Sequence, residues 1–291
     1  MTTPPAIAYL NGAFPPLAEA QISPLDRGFL FADGVYEVIP VYHGRLFRLA
    51  GHLARLDNGL AALRLDPGLD HAGWTRLLEE LVARNGGGHL AIYLQITRGA
   101  AAPRDHAFPA VPRPTVFAMC SPLKPLPEAV RREGLSAVTL DDIRWSACHL
   151  KTIALLPNVL ARQQALDRGA DDAILVRDGI LTEAAAGNLF LVRGGALLTP
   201  LKDHRILPGI TRDLILELAG ANAIPFHEED LPAAVLEDAG EVWITSSTKE
   251  ILPVTRIDGR PVGDGRPGPL WRRLTELFQA YKQEVCPPGP P

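Results

Sequence analysis

Val35-Tyr36-Glu37-Val38-Ile39-Pro40-Val41-Tyr42-His43-Gly44-Arg45-Leu46-Phe47 reads as two extended runs joined by a two-residue turn. β-Branched and aromatic residues suit a half-buried strand, and a His-Gly pair between such runs marks a hairpin. Residues 6–10 and 13–14 read the same way around Asn11-Gly12. So do 172–177 and 180–182 around Asp178-Gly179, and 188–192 and 196–199 around Gly194-Gly195. A hairpin pairs its strands antiparallel. Because hairpins recur along the chain, the sequence predicts a mixed α/β (α+β) fold of mainly antiparallel sheets with packed helices, not a doubly wound parallel sheet.

Outward from that stretch, Leu49, Leu53, Leu56, Leu60 and Leu63 recur at helical spacing and form one apolar stripe. A second helix over 71–84 stops at Asn85-Gly86-Gly87-Gly88. Strands are expected at 90–97 and 115–120, then at 241–245 and 251–257. Further helices are expected at 153–168, closed by Gly169, at 210–219 after Pro208-Gly209, and at 269–284. Ser121-Pro122-Leu123-Lys124-Pro125-Leu126-Pro127 holds three prolines and suits neither a helix nor a central strand. It is expected to link a small α/β domain, 1–120, to a larger one, 128–285. A proline-rich surface loop within one domain is the alternative. The tail 286–291, Cys-Pro-Pro-Gly-Pro-Pro, is expected to be disordered.

The chain has 291 residues, of which 47% are hydrophobic, enough for substantial cores. Its net charge of −4 is spread over interspersed acids and bases, so neither a nucleic acid nor a membrane surface is an expected partner. There is no 18-residue apolar run and no basic start followed by an apolar segment. Cys120, Cys148 and Cys286 are scattered and form no CxxC, which suggests free thiols, no metal site and a cytoplasmic location.

Three features carry chemistry. In His149-Leu150-Lys151-Thr152 a lysine stands in otherwise apolar sequence, ahead of the expected helix. Desolvation lowers the proton affinity of such an amine and makes it a nucleophile for carbonyls, though an exposed helix-entry lysine looks the same in a short window. Glu183 is an isolated acid in Leu181-Thr182-Glu183-Ala184-Ala185-Ala186-Gly187-Asn188. It could hold a pyridine nitrogen protonated or simply lie on the surface. Leu207-Pro208-Gly209-Ile210-Thr211 opens a helix, and Thr245-Ser246-Ser247-Thr248 ends a strand. Both could offer N–H and hydroxyl donors to a phosphate, or be ordinary caps. Arg55, beside the leucine stripe, could add a charge-assisted contact or be solvated.

Taken together in this order, the segments resemble the fold-type IV pyridoxal-phosphate enzymes. That class includes D-amino-acid aminotransferases, branched-chain aminotransferases and aminodeoxychorismate lyases. The resemblance also rests on Tyr9-Leu10-Asn11-Gly12, the stretch from Asp26 to Glu37, His52-Leu53-Ala54-Arg55, Asn188-Leu189-Phe190 and the stretch from Ile206 to Arg212. It implies pyridoxal 5'-phosphate as cofactor, Lys151 as its Schiff-base lysine and Glu183 as partner of the pyridine nitrogen. It places Arg55, Ile210 (through its N–H), Thr211, Ser246 and Ser247 around the phosphate.

Within the class, Tyr36 and the loop Pro103-Arg104-Asp105-His106-Ala107-Phe108-Pro109 resemble the D-amino-acid subgroup, in which tyrosine, arginine and histidine bind the substrate carboxylate. A guanidinium, a phenol and an imidazole are convergent donors for one carboxylate. The run after Lys151 lacks the Gly-Gly-Asn-Tyr of bacterial branched-chain enzymes and the Asn-Arg of the lyases. The resemblance therefore implies a D-amino-acid transaminase working on amino acids and 2-oxo acids by a ping-pong mechanism. It further implies a homodimer in which the Arg104/His106 loop reaches the neighbouring subunit's site. A branched-chain or (R)-amine transaminase, and aminodeoxychorismate lyase, are the alternatives.

Overall fold

Both central residues of the His43-Gly44 turn have positive φ, 51° and 76°. This is the backbone that lets a two-residue turn follow the natural twist of its strands. Asn11-Gly12, Asp178-Gly179, Gly194-Gly195 and Asp258-Gly259 share it, and the first three are turns expected from sequence. The structure, a computed structural model, describes residues 6–289, so Met1–Pro5, Pro290 and Pro291, which the reading of the N-terminus, the first domain and the tail included, lie outside the described residues.

The described chain divides into two units. The first holds the residues up to Lys124, the short segment Leu150–Ala154, and the chain from Lys282 onward. Its elements are β1 (Ala8–Leu10), α1 (Arg27–Phe31), β2 (Gly34–Tyr42), β3 (Arg45–Leu46), α2 (Leu49–Leu63), α3 (His71–Arg84), β4 (Leu90–Thr97) and β5 (Thr115–Pro122). The strands form one sheet in the order β1-β5-β4-β2-β3, antiparallel throughout. Leu53, Leu56 and Leu60 of α2 and Trp74, Leu78 and Leu81 of α3 pack against Val35, Ile39, Val41 and Ile92 of the sheet. At about 25 cal/mol per Å2 of apolar surface, this burial is the main favourable term for the unit.

The second unit comprises Pro125–His149 and Leu155–Tyr281. It contains α4 (Glu128–Glu133), β6 (Leu135–Asp141), α5 (Leu156–Asp167), β7 (Asp172–Arg177), β8 (Ile180–Ala184), β9 (Asn188–Arg193), β10 (Ala196–Pro200), α6 (Ile210–Ala221), β11 (Phe226–Glu229), β12 (Glu241–Ser246), β13 (Glu250–Ile257), β14 (Arg260–Pro261) and most of α7 (Pro269–Val285). The sheet order is β11-β10-β9-β12-β13-β6-β7-β8, with β14 on β13. Most ladders are antiparallel; β10/β11, β13/β6 and β6/β7 are parallel. The α+β, mainly antiparallel expectation holds. Among the described residues no helix is long and apolar enough to cross a membrane.

Several expectations need correction. The helix expected over 153–168 starts only at Leu156, because the preceding residues pair with β2 instead: the Tyr36 N–H donates to the Lys151 carbonyl (3.0 Å) and the Ile153 N–H to the Gly34 carbonyl (3.1 Å). Thr152 and Ile153 are β-branched and suit that extended path. This tie also puts Leu150–Ala154 with the first unit, whereas the sequence reading assigned everything from 128 to 285 to the second. Ser121 and Pro122 complete β5 rather than a linker. Cys286 is no part of a disordered tail: it is 2% exposed, with its thiol against the Arg45 carbonyl. Helices α1 and α4 and strands β6 and β11 had no counterpart in the sequence reading.

Candidate active site

In the first unit the site is organised by the two faces of β2. Alternation puts Val35, Glu37, Ile39 and Val41 on one face, and all four are buried. A carboxylate buried among aliphatic groups requires a counter-charge. Helix α2 supplies it, since His52 and Arg55 are three residues apart and share a helix face. Arg55 grips Glu37 with two bonds, Nε to Oε1 at 2.7 Å and Nη2 to Oε2 at 2.8 Å, and His52 Nδ1 lies 2.7 Å from Oε2. Burial alone would push the Glu37 carboxyl up; the charge and hydrogen bonds of Arg55, with His52, outweigh it and hold it at about 2. Burial moves the His52 imidazole the other way, below its ordinary value, and the charges of Arg55 and Lys151 add to that against the pull of Glu37.

Tyr36 points to the opposite face, where its ring meets Tyr93 at 5.5 Å. The Lys151 amine lies 4.1 Å from the Tyr36 ring centroid. Two main-chain bonds to β2, at the carbonyl of Lys151 and at the Ile153 N–H, fix the backbone beside this contact. The arrangement sets a primary amine against the ring of a phenol.

The loop after β4 carries Arg104 and His106, both exposed. The Arg104 guanidinium lies 4.4 Å from the Phe31 ring centroid and the His106 ring 5.1 Å. One aromatic residue of α1 thus gathers the two side chains expected to bind a carboxylate.

In the second unit Glu183 stands within β8, 4% exposed. It accepts a short hydrogen bond from Arg144 and one from Asn188 Nδ2 at 2.9 Å. Arg144 also binds Asp142 through Nε (2.9 Å) and Nη2 (2.8 Å), and the Thr182 hydroxyl donates to Asp142 at 2.9 Å. Burial would lower the proton affinity of Arg144, but Asp142 and Glu183 raise it well above its ordinary value. Asn188 donates as well to the Leu207 carbonyl at 2.8 Å, which joins Glu183 to the turn before α6. That turn needs Gly209, because a Cβ there would come within 1.9 Å of Asn188 Oδ1. Helix α6 begins at Ile210 with no side-chain cap, so its first N–H groups have no acceptor within the helix. Thr245, paired with Asn188 across the β9/β12 ladder, leads into half-buried Ser246 and Ser247. Its own hydroxyl is buried without a hydrogen-bond partner.

The expected residues thus divide between the units. Tyr36, Lys151, Arg55, Arg104 and His106 belong to the first, with Tyr36 and Lys151 in contact; Glu183, Ile210, Thr211, Ser246 and Ser247 belong to the second. Arg55 is buried and ion-paired, not solvated, and Glu183 is not a surface acid. Glu37, His52, Arg144 and Asn188 had not been picked out as site residues. Glu37 was detectable, since its β2 position makes it the one acid in a row of core-facing aliphatics. Arg144 left no local signal, because Thr182 and Glu183 are 38 and 39 residues away. Taken unit by unit, the first offers an amine on an aromatic face, the chemistry that takes an aldehyde, and the second an oriented buried carboxylate and an uncapped helix start, which suit a pyridine nitrogen and a phosphate.

Comparison with known proteins agrees. The sequence profile described as amino-transferase class IV matches residues 34–257. D-alanine aminotransferase of Bacillus licheniformis is 40% identical over 269 residues, covering 92% of this chain and 94% of that protein. Among solved structures, the branched-chain amino acid aminotransferase of Escherichia coli superimposes with a TM-score of 0.90 at 25% identity, covering 95% of this chain and 94% of that one. A hypothetical aminotransferase from Mycobacterium tuberculosis, solved in its PLP-bound form, gives 0.82 at 27% identity, covering 94% and 98%.

Proposed function

We propose that this chain, which belongs to the class IV aminotransferases, moves an amino group between a D-amino acid and a 2-oxo acid with pyridoxal 5'-phosphate as its cofactor. The observation that carries the reading is the Lys151 amine, fixed by main-chain pairing to β2 and set on the face of Tyr36. Bound there, pyridoxal phosphate supplies the carbonyl that takes up the amino group and the ring that draws electrons from the reacting carbon. Arg55, the Ile210 N–H, Thr211, Ser246 and Ser247 hold its phosphate, and Glu183 holds the proton on its ring nitrogen. Lys151 Nζ takes the proton from the α-carbon of the donor and later returns one, a single base serving both directions. Positioned acid–base catalysis of this kind contributes about 10²–10⁴-fold. Because the keto product leaves before the second substrate enters, the kinetics are ping-pong.

Tyr36, Arg104 and His106 are the groups we assign to the substrate carboxylate, which sets the hand of the amino acid accepted. The 40% identity to a D-alanine aminotransferase supports the D-hand. The branched-chain neighbour from Escherichia coli favours a second reading, an L-amino-acid enzyme, but at 25% identity its superposition reflects a scaffold shared by both. A cytoplasmic homodimer completes the proposal, supported by three buried free thiols and by Phe29 and Val111, apolar side chains 77% and 76% exposed. The test is the cofactor's absorbance in single half-reactions. D-alanine should shift it, and L-leucine and an (R)-arylamine should not; a shift with L-leucine alone would establish the second reading instead.

A further inference from the structure

Residues 101–114 contain no helix or strand, yet their centre is held by a single buried side chain. Arg27, at the start of α1 and 4% exposed, donates from Nη1 to the carbonyls of Asp105 (2.5 Å) and Ala107 (3.2 Å) and from Nη2 to that of His106 (3.1 Å). Its Nε donates to Asp33 at 2.8 Å. Asp33 in turn takes two bonds from buried Arg98, Nε at 2.8 Å and Nη2 at 2.9 Å, and Arg98 donates to the Leu63 carbonyl at 2.9 Å. Burial opposes ionisation of Asp33, but the two guanidinium groups outweigh it and hold its carboxyl below the ordinary value. The chain of contacts runs from helix α2 through Arg98, Asp33 and Arg27 to three successive carbonyls of the loop.

A guanidinium is planar and its five N–H groups point in fixed directions. Three carbonyls that converge on one such plane must curl around it. The side chains of Arg104 and His106 are then left outward, where both are exposed and both touch Phe31, four residues after Arg27 in the same helix. A lysine amine keeps the charge but cannot span Asp33 and three carbonyls at once.

We propose that Arg27 is a positioning residue for the carboxylate-binding loop: braced by Asp33 and Arg98, it sets the backbone that presents Arg104 and His106 to the substrate. This rests on the reading of Arg104 as a carboxylate ligand given above. Arg27 touches no substrate and acts through Arg104.

The test is a double-mutant cycle on the cofactor-loaded enzyme with Arg27→Lys, Arg104→Ala and both together. KM for D-alanine and 2-oxoglutarate, kcat, melting temperature and cofactor retention are measured for each. Arg27→Lys should raise both KM values roughly tenfold or more, with kcat changed less than about threefold and cofactor retention unchanged. Combined with Arg104→Ala it should add much less to KM than it does alone, because of the two groups it positions only His106 remains. Unchanged KM in Arg27→Lys, or a double variant whose KM is the product of the two single effects, overturns the proposal while leaving the carboxylate reading intact. Unchanged KM in Arg104→Ala overturns that reading, and this inference with it. Should Arg27→Lys fail to fold, Asp33→Asn, which loosens the brace without touching the loop, runs through the same cycle with the same expected outcomes.

Discussion

Lys151 and Glu183 are fixed in opposite ways. The lysine's backbone is tied to β2 by main-chain bonds at Tyr36 and Ile153, and its amine rests on an aromatic face. The glutamate's backbone is one rung of β8, and its carboxylate is held by side chains, Arg144 and Asn188, which are themselves bound to Asp142 and the Leu207 carbonyl. Main-chain bonds survive truncation of the side chain. A buried ionic cluster does not survive the loss of a member, because the charge left behind is already desolvated. Chemistry and stability should therefore separate at Lys151 and coincide at Glu183.

The comparison can be broken most directly at Lys151. Lys151→Ala should lose turnover by at least the roughly 10²–10⁴-fold of a missing acid–base group, to below detection in practice. Its melting temperature should stay within roughly 2 °C of the parent's, as for a substitution outside the core. A variant that retained turnover or unfolded would contradict the assignment.

Glu183→Ala should do both kinds of damage. Turnover falls, and urea unfolding should show a loss of about 3–5 kcal/mol, the usual consequence of stranding a buried charge. Glu183→Gln, which keeps a partner for Arg144, should unfold later than Glu183→Ala; equal stability of the two would mean the cluster contributes packing only.

The cluster under β2 sharpens the comparison through pH. The folded-state carboxyl of Glu37 titrates at about 2 against an ordinary 4.5. Its contribution is thus fully present above pH 4.5 and is lost as the pH falls toward 2. Glu37→Gln should lower stability at neutral pH and flatten its fall on acidification. An unchanged acid limb in chemical unfolding at several pH values would rule this out.

The smallest effect is expected at Thr245, whose buried hydroxyl has no partner. Removing an unsatisfied polar atom at constant shape costs little. Thr245→Val should melt within roughly 2 °C of the parent or slightly above it, and a drop well beyond that would show that the hydroxyl has a ligand-side role.

Much of the fold was legible because its signals are local. Asn-Gly, His-Gly, Asp-Gly and Gly-Gly pairs need positive φ at both positions and have it, and the leucine stripe of α2 emerged with the expected bounds. Strand β6 was missed because its pairing is parallel on both sides, with β13 and β7. Such a strand has no adjoining turn to announce it. The helix start at 153 was misplaced for a related reason: residues 151–153 are extended only because β2 offers them partners more than a hundred positions earlier.

The candidate site divides along the same line. By itself the sequence determined the amphipathic stripes, the turns, the starts of α2, α3, α6 and α7 and the identity of the groups that can do amine, carboxylate and phosphate chemistry, since these depend on residue type and on neighbours within a few positions. Tertiary structure alone decided that Lys151 faces Tyr36, that Arg55 is bound to Glu37, that Arg144 and Asn188 orient Glu183 and that Arg27 braces residues 105–107. Each of these is an electrostatic or hydrogen-bonding choice among many possible partners. Only burial removes the alternative of water, and only the folded chain brings the chosen partners within reach.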